Sequence, residues 1–450
     1  MKIVPAATVH FMCILIVPAF VLVSDPSDGY CSADDPASCS DIEKSFSTEA
    51  GIEDVHQTQA STKPSQDIRV ENSVSGAKPE TTTQKSRKNR EKYYKLIQEA
   101  LEAYIPCTVQ LGTEEKTCFK DVVHSDLLPY RTRSTHGITK AMIDQASQRG
   151  VLYQIINHYL YRQKACSFPS RCSGIEHFLL KLVHILPDME LVINVHDYPQ
   201  VSIHEPNPYP VFSFSKTPKY QDILCPAWTF WEGGPAIASY PRGLGRWDEM
   251  RERLSESSEK YQWENKKSVG FFRGSRTSGE RDPLVLLSRR WPDLVDAKYT
   301  KNQAWKSEND TLGDEPASEV KLEDHCEYKY LYNFRGVAAS FRFKHLFLCN
   351  SLVFHVGQDW VEFFYSALKP WVHFVPVKND ISDVEELLEF AKDNDGLVRQ
   401  IADRGKEFVF RHLRMADVEL YWKHLLLDYS SLLKYSVSKR DNVVTITSSN

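Results

Sequence analysis

The chain has 450 residues, 42% of them hydrophobic and 12% aromatic, enough apolar surface for a sizeable core. Its 55 Lys+Arg nearly balance 60 Asp+Glu, for a net charge of -5. That balance excludes a nucleic-acid binder working through a global basic field, and it excludes a wholly disordered chain. In chain order, Lys2 precedes an apolar run from Phe11 to Val23, broken only by Pro18 and followed by Ser24, Asp25 and Pro26. This pattern predicts a secretory signal peptide over 1–24, with an uncleaved anchor as the alternative. From Asp25 to Glu80 there are 12 acidic residues against 4 basic, with many Ser and Thr, which predicts a disordered acidic linker over 25–90. A basic patch (Lys85, Arg87, Lys88, Arg90, Lys92) opens a helix with Tyr94, Ile97, Leu101 and Tyr104 on one face, stopped by Pro106. The patch reads as a solvated helix start; a membrane or heparin site is the minority alternative.

Further along, Gly174–Leu186 has helical periodicity, and Leu191–Val195 is a continuous apolar run suited to a buried parallel strand. Val211–Phe214 follows as a short strand. A second set is predicted as strand Ser268–Phe272, helix Pro283–Arg290, strand Leu294–Ala297, strand Tyr328–Phe334, helix Ala338–Leu348, and strands Ser351–His355 and Val372–Val377. Helices Val384–Lys392, Leu397–His412 and Met415–Tyr435 close the chain. Such alternation predicts an α/β protein of two doubly wound, parallel-sheet halves facing a cleft.

Ten cysteines in an oxidising compartment predict disulfides. Sequence neighbours suggest Cys107–Cys118, Cys166–Cys172 and Cys326–Cys349, with Cys31–Cys39 weaker. Outside the signal the count is odd, and Cys225, in an apolar and aromatic setting, is the expected free thiol. Zinc on Cys166, Cys172 and His177 is the alternative use of those ligands.

Several strings carry chemistry. Phe271–Pro283 joins a strand to a helix through a loop with two glycines, three hydroxyls and three arginines, the makings of a phosphate site or simply of a capped polar loop. Asn333–Arg342 repeats the arrangement with Gly336, Ala338, Ala339 and Ser340, small enough for a ligand to approach the backbone, or for tight helix–sheet packing. Asp197 follows a buried strand, where open α/β sheets bind ligands, and could be a general base or a turn cap. The aromatic, glycine-bearing stretch Pro226–Pro235, continuing to Trp247, could line a groove for sugar or protein, or fill a domain junction. The D-x-D at Asp393–Asp395 could hold a sugar nucleotide's metal, but its place between helices favours capping. Asn309-Asp310-Thr311 is a glycosylation sequon.

These strings, with Cys166–Gly174, Asn194–Pro199 and Tyr299–Lys306, resemble the Rumi-type protein O-glucosyltransferases of glycosyltransferase family 90, over about Pro106 to Tyr435. The resemblance implies a GT-B fold of two Rossmann-like domains facing a central cleft: 91–238 for the acceptor, completed by 413–436, and 239–412 for the UDP-sugar, with 437–450 as a flexible tail. It implies glucose transfer from UDP-glucose, or in some members xylose from UDP-xylose, to serine within C-x-S-x-P-C of folded EGF-like repeats of Notch-type proteins. No cofactor or metal is implied. The family's base falls on Asp197. Its donor contacts fall on Tyr240, Ser275, Arg281 and Val337, Ala338, Ala339, Ser340, Phe341 and Arg342. Its acceptor contacts fall on Ser167, Phe168, Pro169, Ser170, Arg171, Ala236, Ile237, Ala238, Ser239, Tyr240 and Pro241. Its disulfides coincide with the three pairs above. A monomer in the lumen of the endoplasmic reticulum is expected, although Thr447–Asn450 carries no KDEL-like signal. Competing expectations are a non-catalytic factor that binds EGF repeats and a family-90 xylosyltransferase with another acceptor.

Overall fold

The computed structural model describes residues 82–108, 117–132, 137–206, 208–231, 233, 239–241, 243–301 and 305–447. The expected signal peptide, the linker up to residue 81, Cys31, Cys39 and acceptor positions Ala236, Ile237 and Ala238 lie outside these residues.

Helix α1 (Thr82–Ala103) is followed by α2 (Lys120–Thr132) and α3 (Lys140–Ala146). A hairpin of β1 (Val151–Ile156) and β2 (Tyr159–Gln163) comes next, then α4 (Pro169–Leu182), β3 (Met189–Ile193), β4 (Val211–Ser213) and β5 (Ile223–Leu224). The first sheet has the order β11-β2-β1-β3-β4-β5, with β11 at Val443–Ile446. Only its β3–β4–β5 side is parallel; β11, β2, β1 and β3 pair antiparallel. The expectation of a wholly parallel first half is therefore corrected. The local reason is a two-residue turn, Asn157-His158, with φ of 49° and 65°, the positive-φ pair that lets a right-twisted hairpin close.

The second sheet is all parallel, in the order β10-β9-β8-β6-β7. It comprises β6 (Lys267–Gly274), β7 (Val295–Tyr299), β8 (Tyr328–Asn333), β9 (Leu352–Val356) and β10 (Val375–Val377). Between these strands lie α6 (Asp282–Arg290), α7 (Leu322–His325) and α8 (Phe343–Leu348), with α5 (Trp247–Lys260) ahead of β6 and α9 (Val384–Asp393) and α10 (Asp395–His412) after β10. Leu284, Val285, Leu388 and Ile401 pack on one face of the sheet, and Trp247, Phe343 and Phe347 on the other. Because β7 lies to one side of β6 and β8 to the other, the order of strand addition reverses between β6 and β8, and the crevice beyond their carboxyl ends is the natural ligand site.

Three further boundaries differ from expectation. The linker ends earlier than residue 90, because α1 begins at Thr82. The stretch from residue 91 through α1 belongs with the second sheet, not the first. Tyr93 and Ile97 are buried against the layer containing Phe390 and Trp371, while Tyr94 and Leu101, assigned to the buried face, are exposed. Arg90 and Lys92 of the basic patch pair with Asp393 (3.0 Å) and Glu386 (3.3 Å). The tail is no free tail either. Arg440 forks onto Glu190 at 2.6 and 3.0 Å, Gln154 accepts from its backbone N–H, and β11 completes the sheet edge. Glu190, only 2% exposed, requires that cation. Helix α11 (Met415–Ser430) packs Tyr421, Trp422 and Tyr429 into the first core.

The disulfides Cys107–Cys118, Cys166–Cys172 and Cys326–Cys349 are present, and Cys225 is a buried free thiol. The zinc alternative fails because both sulfurs are bonded to each other, and His177 stacks on Trp231 at 3.3 Å.

Candidate functional site

Two loops meet at the switch point, one leaving β6 and one leaving β8. The arginines separate by partner. Arg273 forks onto Asp296, Arg276 onto Asp282, and Arg335 reaches Glu280 at 2.8 Å. Arg281 and Arg342 form no ion pair with a carboxylate among the described residues. Arg281 is 6% exposed, donates to the carbonyls of Ser275 and Arg335 (both 2.5 Å), and leaves its buried Nε without a partner. Burial, reinforced by Arg342, pushes it down to about 9. Arg342 donates to the Arg273 carbonyl at 2.6 Å, and burial lowers it to about 10. Both guanidiniums sit over the Phe272 ring, at 5.4 and 5.5 Å. Gly274 makes room, since a Cβ there would lie 3.2 Å from Arg342 Nη2. One buried and one half-buried cation, neither with a carboxylate partner, lie where they could accept an anion.

The backbone adds donors. Helix α8 starts at Phe343, so Ala338–Arg342, expected as its first turns, is part of an irregular loop that includes Val337. Among the described residues the amides of Val337, Ala338, Ala339, Ser340, Phe341 and Arg342 make no hydrogen bond. Ala338 and Ala339 are buried, Val337 is exposed, and the small side chains keep the backbone open to approach. Consecutive unpaired amides beside buried arginines form an anion cradle. Ser275 borders it. Tyr240 is buried behind it, donating to Glu323 while its oxygen accepts from the Leu322 amide (2.8 Å). Burial, then Glu323, raise that phenol. His325, missed in the sequence, is buried with Nε2 unpartnered; burial and Arg342 lower it to about 3, so it is neutral.

Asp197 lies on the other sheet, in the loop beyond β3. Asn194 shapes that loop by donating to the Tyr198 carbonyl (2.6 Å) and accepting from the His196 amide (2.9 Å). The Asp197 side chain is 39% exposed and paired with Arg171 at 3.1 Å, an accessible, oriented carboxylate rather than a buried cap. Arg171 also donates to the Val195 carbonyl and stacks on Phe168 (4.4 Å) and Trp228 (4.3 Å). Trp228 in turn meets Phe341 edge-on at 4.9 Å. Gly174 permits this, because a Cβ there would lie 2.8 Å from the Trp228 backbone oxygen. Asp197 is thus linked to the cradle by a continuous row of contacts, Arg171–Trp228–Phe341. Ser167, Pro169 and Ser170 are exposed at the start of α4, with Phe168 half-buried. The amide of Ser239 donates to Glu319, and Pro241 is exposed.

The D-x-D stands elsewhere. Asp393 pairs with Arg90, and Asp395 with Lys329 and Trp263, at the amino-terminal edge of the second sheet. Asn309 is exposed on a turn, and Thr311 of the sequon is buried.

The loop after β8 thus offers donors to which an anion could bind, and an accessible carboxylate is linked to it through Arg171, Trp228 and Phe341. Residues 113–450 match Glycosyl transferase family 90, and the chain belongs to that family. It is 57% identical to an O-glucosyltransferase rumi homolog of Aedes aegypti, over 79% of this chain and 87% of that one. It is also 57% identical to protein O-glucosyltransferase 1 of Homo sapiens (76% and 86% covered) and 54% identical to O-glucosyltransferase rumi of Drosophila melanogaster (78% and 85%). No helix among the described residues is long and apolar enough to cross a membrane.

Proposed function

We propose that this glycosyltransferase moves glucose from UDP-glucose to a serine of a folded EGF-like repeat, in a C-x-S-x-P-C context, with inversion at the anomeric carbon. The carrying observation is the pair of carboxylate-free arginines, Arg281 and Arg342, beside six unpaired amides and in contact, through Trp228, with Asp197. The relatives' names support protein O-glucosyl transfer. The donor is an α-glucoside, so direct displacement gives a β product. The serine oxygen attacks C1 as the C1–O bond to UDP breaks; Asp197 takes the serine proton, and UDP leaves as an anion. Arg281, Arg342 and the Val337–Arg342 amides stabilise the charge growing on that leaving group. Arg171 orients Asp197. Ser167–Arg171 and Ser239–Pro241 receive the acceptor, and Tyr240 and Ser275 shape the donor side. In this reading the two sheets form the two halves of a GT-B arrangement. The enzyme works as a monomer in the lumen of the endoplasmic reticulum, an oxidising compartment that suits three disulfides. No metal is required, the arginines supplying the positive charge.

The test is incubation with UDP-glucose and UDP-xylose, each with a folded and an unfolded EGF repeat, read by intact mass. A hexose added only to the folded repeat supports the proposal. Pentose in its place makes the enzyme a xylosyltransferase, since one CH₂OH changes selectivity by only about 1–3 kcal/mol. No transfer with either donor overturns it.

A further inference from the structure

Beneath the cradle lies a buried polar group that the transfer reaction does not itself use. Lys344 of α8 is fully buried and donates to the Phe341 carbonyl at 3.1 Å. Its ammonium stacks on the rings of Phe230 (4.6 Å), Trp247 (5.6 Å) and Phe341 (5.9 Å). Beyond β9, the Tyr365 hydroxyl lies 3.3 Å from the Ser340 carbonyl and 3.4 Å from Glu362 Oε1. Glu362 is 1% exposed, and its Oε2 has no partner. The same segment reaches the base loop, because Trp360 meets Tyr198 edge-on at 5.2 Å and Val361 bridges to Lys216.

A tyrosine has one proton to donate and here two acceptors. If Glu362 carries a proton, it donates to the phenol oxygen, and the phenol donates to Ser340. If Glu362 is ionised, it claims the phenol proton, and the Ser340 carbonyl loses that bond. We infer that Tyr365, Glu362 and Lys344 are positioning residues for the diphosphate cradle. Together with the Phe343 amide, which also donates to Ser340 (3.1 Å), they hold the carbonyls of Ser340 and Phe341 so that the neighbouring amides stay turned toward the ligand, and the proton on Glu362 decides whether the Tyr365 bond to Ser340 is made. This rests on the proposed role of Val337–Arg342 as the donor's diphosphate site.

The surroundings support a titrating Glu362. Burial raises its carboxyl to about 7, opposed by Lys344 and Tyr365. Lys344 of α8 and Tyr365 on its own turn act on it directly; His355 of β9 packs against Tyr365, and His345 lies beside Lys344. From the first sheet, Lys216 approaches through Val361 but is paired with Asp126 at 2.6 Å.

The experiment is UDP binding by calorimetry from about pH 6 to about pH 8, with steady-state kinetics, on wild type, Tyr365→Phe and Glu362→Gln. Glu362→Gln mimics the protonated acid and controls for titration of UDP itself. Tyr365→Phe is expected to bind UDP roughly three- to tenfold more weakly, the size of one hydrogen bond, and to raise KM for the donor but not for the acceptor. Wild type is expected to lose affinity, relative to Glu362→Gln, as pH rises. Unchanged UDP affinity in Tyr365→Phe, or parallel pH profiles for wild type and Glu362→Gln, would overturn the inference. If Tyr365→Phe does not fold, the Glu362→Gln profile decides alone. Failure of wild type to bind UDP at all overturns the cradle itself, and this inference with it.

Discussion

Replacing Arg281 with Met should separate binding from stability. Burial, and then Arg342, hold the guanidinium at about 9, several pH units below its ordinary range. At about 1.4 kcal/mol per unit, enclosing the charge costs the unliganded protein on the order of 5 kcal/mol. Met removes that cost but also two hydrogen bonds, to Ser275 and Arg335, each to a charged donor and worth about 1.5–3 kcal/mol. The two effects nearly cancel, so unliganded stability should stay within about 2 kcal/mol of wild type. Donor binding should not: one charge-assisted contact to phosphate is worth about 1.5–3 kcal/mol, or roughly 10- to 150-fold in Kd. Thermal melting with and without UDP measures both. At 100 times its Kd, UDP stabilises wild type by about 2.7 kcal/mol, and at the same concentration the variant should gain only about 0.3–1.4 kcal/mol. A variant more than about 4 kcal/mol less stable that still gains the wild-type shift with UDP would show that Arg281 is a structural brace and refute the reasoning.

Other predictions follow the same geometry. Asp197→Asn should lower kcat by about 10²–10⁴ with UDP affinity intact, and near-normal turnover would remove Asp197 from the role of base. Arg440→Ala leaves the buried Glu190 without its cation and should cost about 3–5 kcal/mol in urea unfolding; a loss below about 1 kcal/mol would mean that the C-terminal segment does not brace the sheet. Glu362 has a folded value raised above that of an exposed carboxyl. Its stabilising contribution is therefore complete below the unfolded value of about 4.3 and lost as pH rises through about 7. Wild-type stability relative to Glu362→Gln should decline across that window, and a flat difference curve would contradict it.

Much of the parallel sheet was legible because its inner strands β8 and β9 are short and buried on both faces. The hairpin Val151–Gln163 was not: its turn is Asn-His rather than Asn-Gly, and the β-branched run Val443–Ile446, though suited to a strand, does not say which edge it joins. In the site, the loops after β6 and β8 stood out by composition, and Asp197 by its place after a strand. Which arginines are free did not, because Arg335 finds Glu280 only when two loops meet, and Arg273 finds Asp296 only across paired strands. Likewise Arg171 beside Asp197 and Glu362 beneath the cradle lie on segments distant in sequence from what they serve.

The sequence by itself determined the near balance of charge, the three short-range disulfides, the strand-to-loop motifs and the family they belong to. These are local properties, set by composition and by spacings of a few residues. Tertiary structure decided where the charge goes. Among the described residues, Arg273, Arg276 and Arg335 are paired with carboxylates, whereas buried Arg281 and half-buried Arg342 donate only to backbone carbonyls at the switch point of the parallel sheet. It also turned α1 onto the second sheet and the last strand onto the first. Ion pairing and docking depend on contacts between distant segments, and only packing of the finished chain creates them.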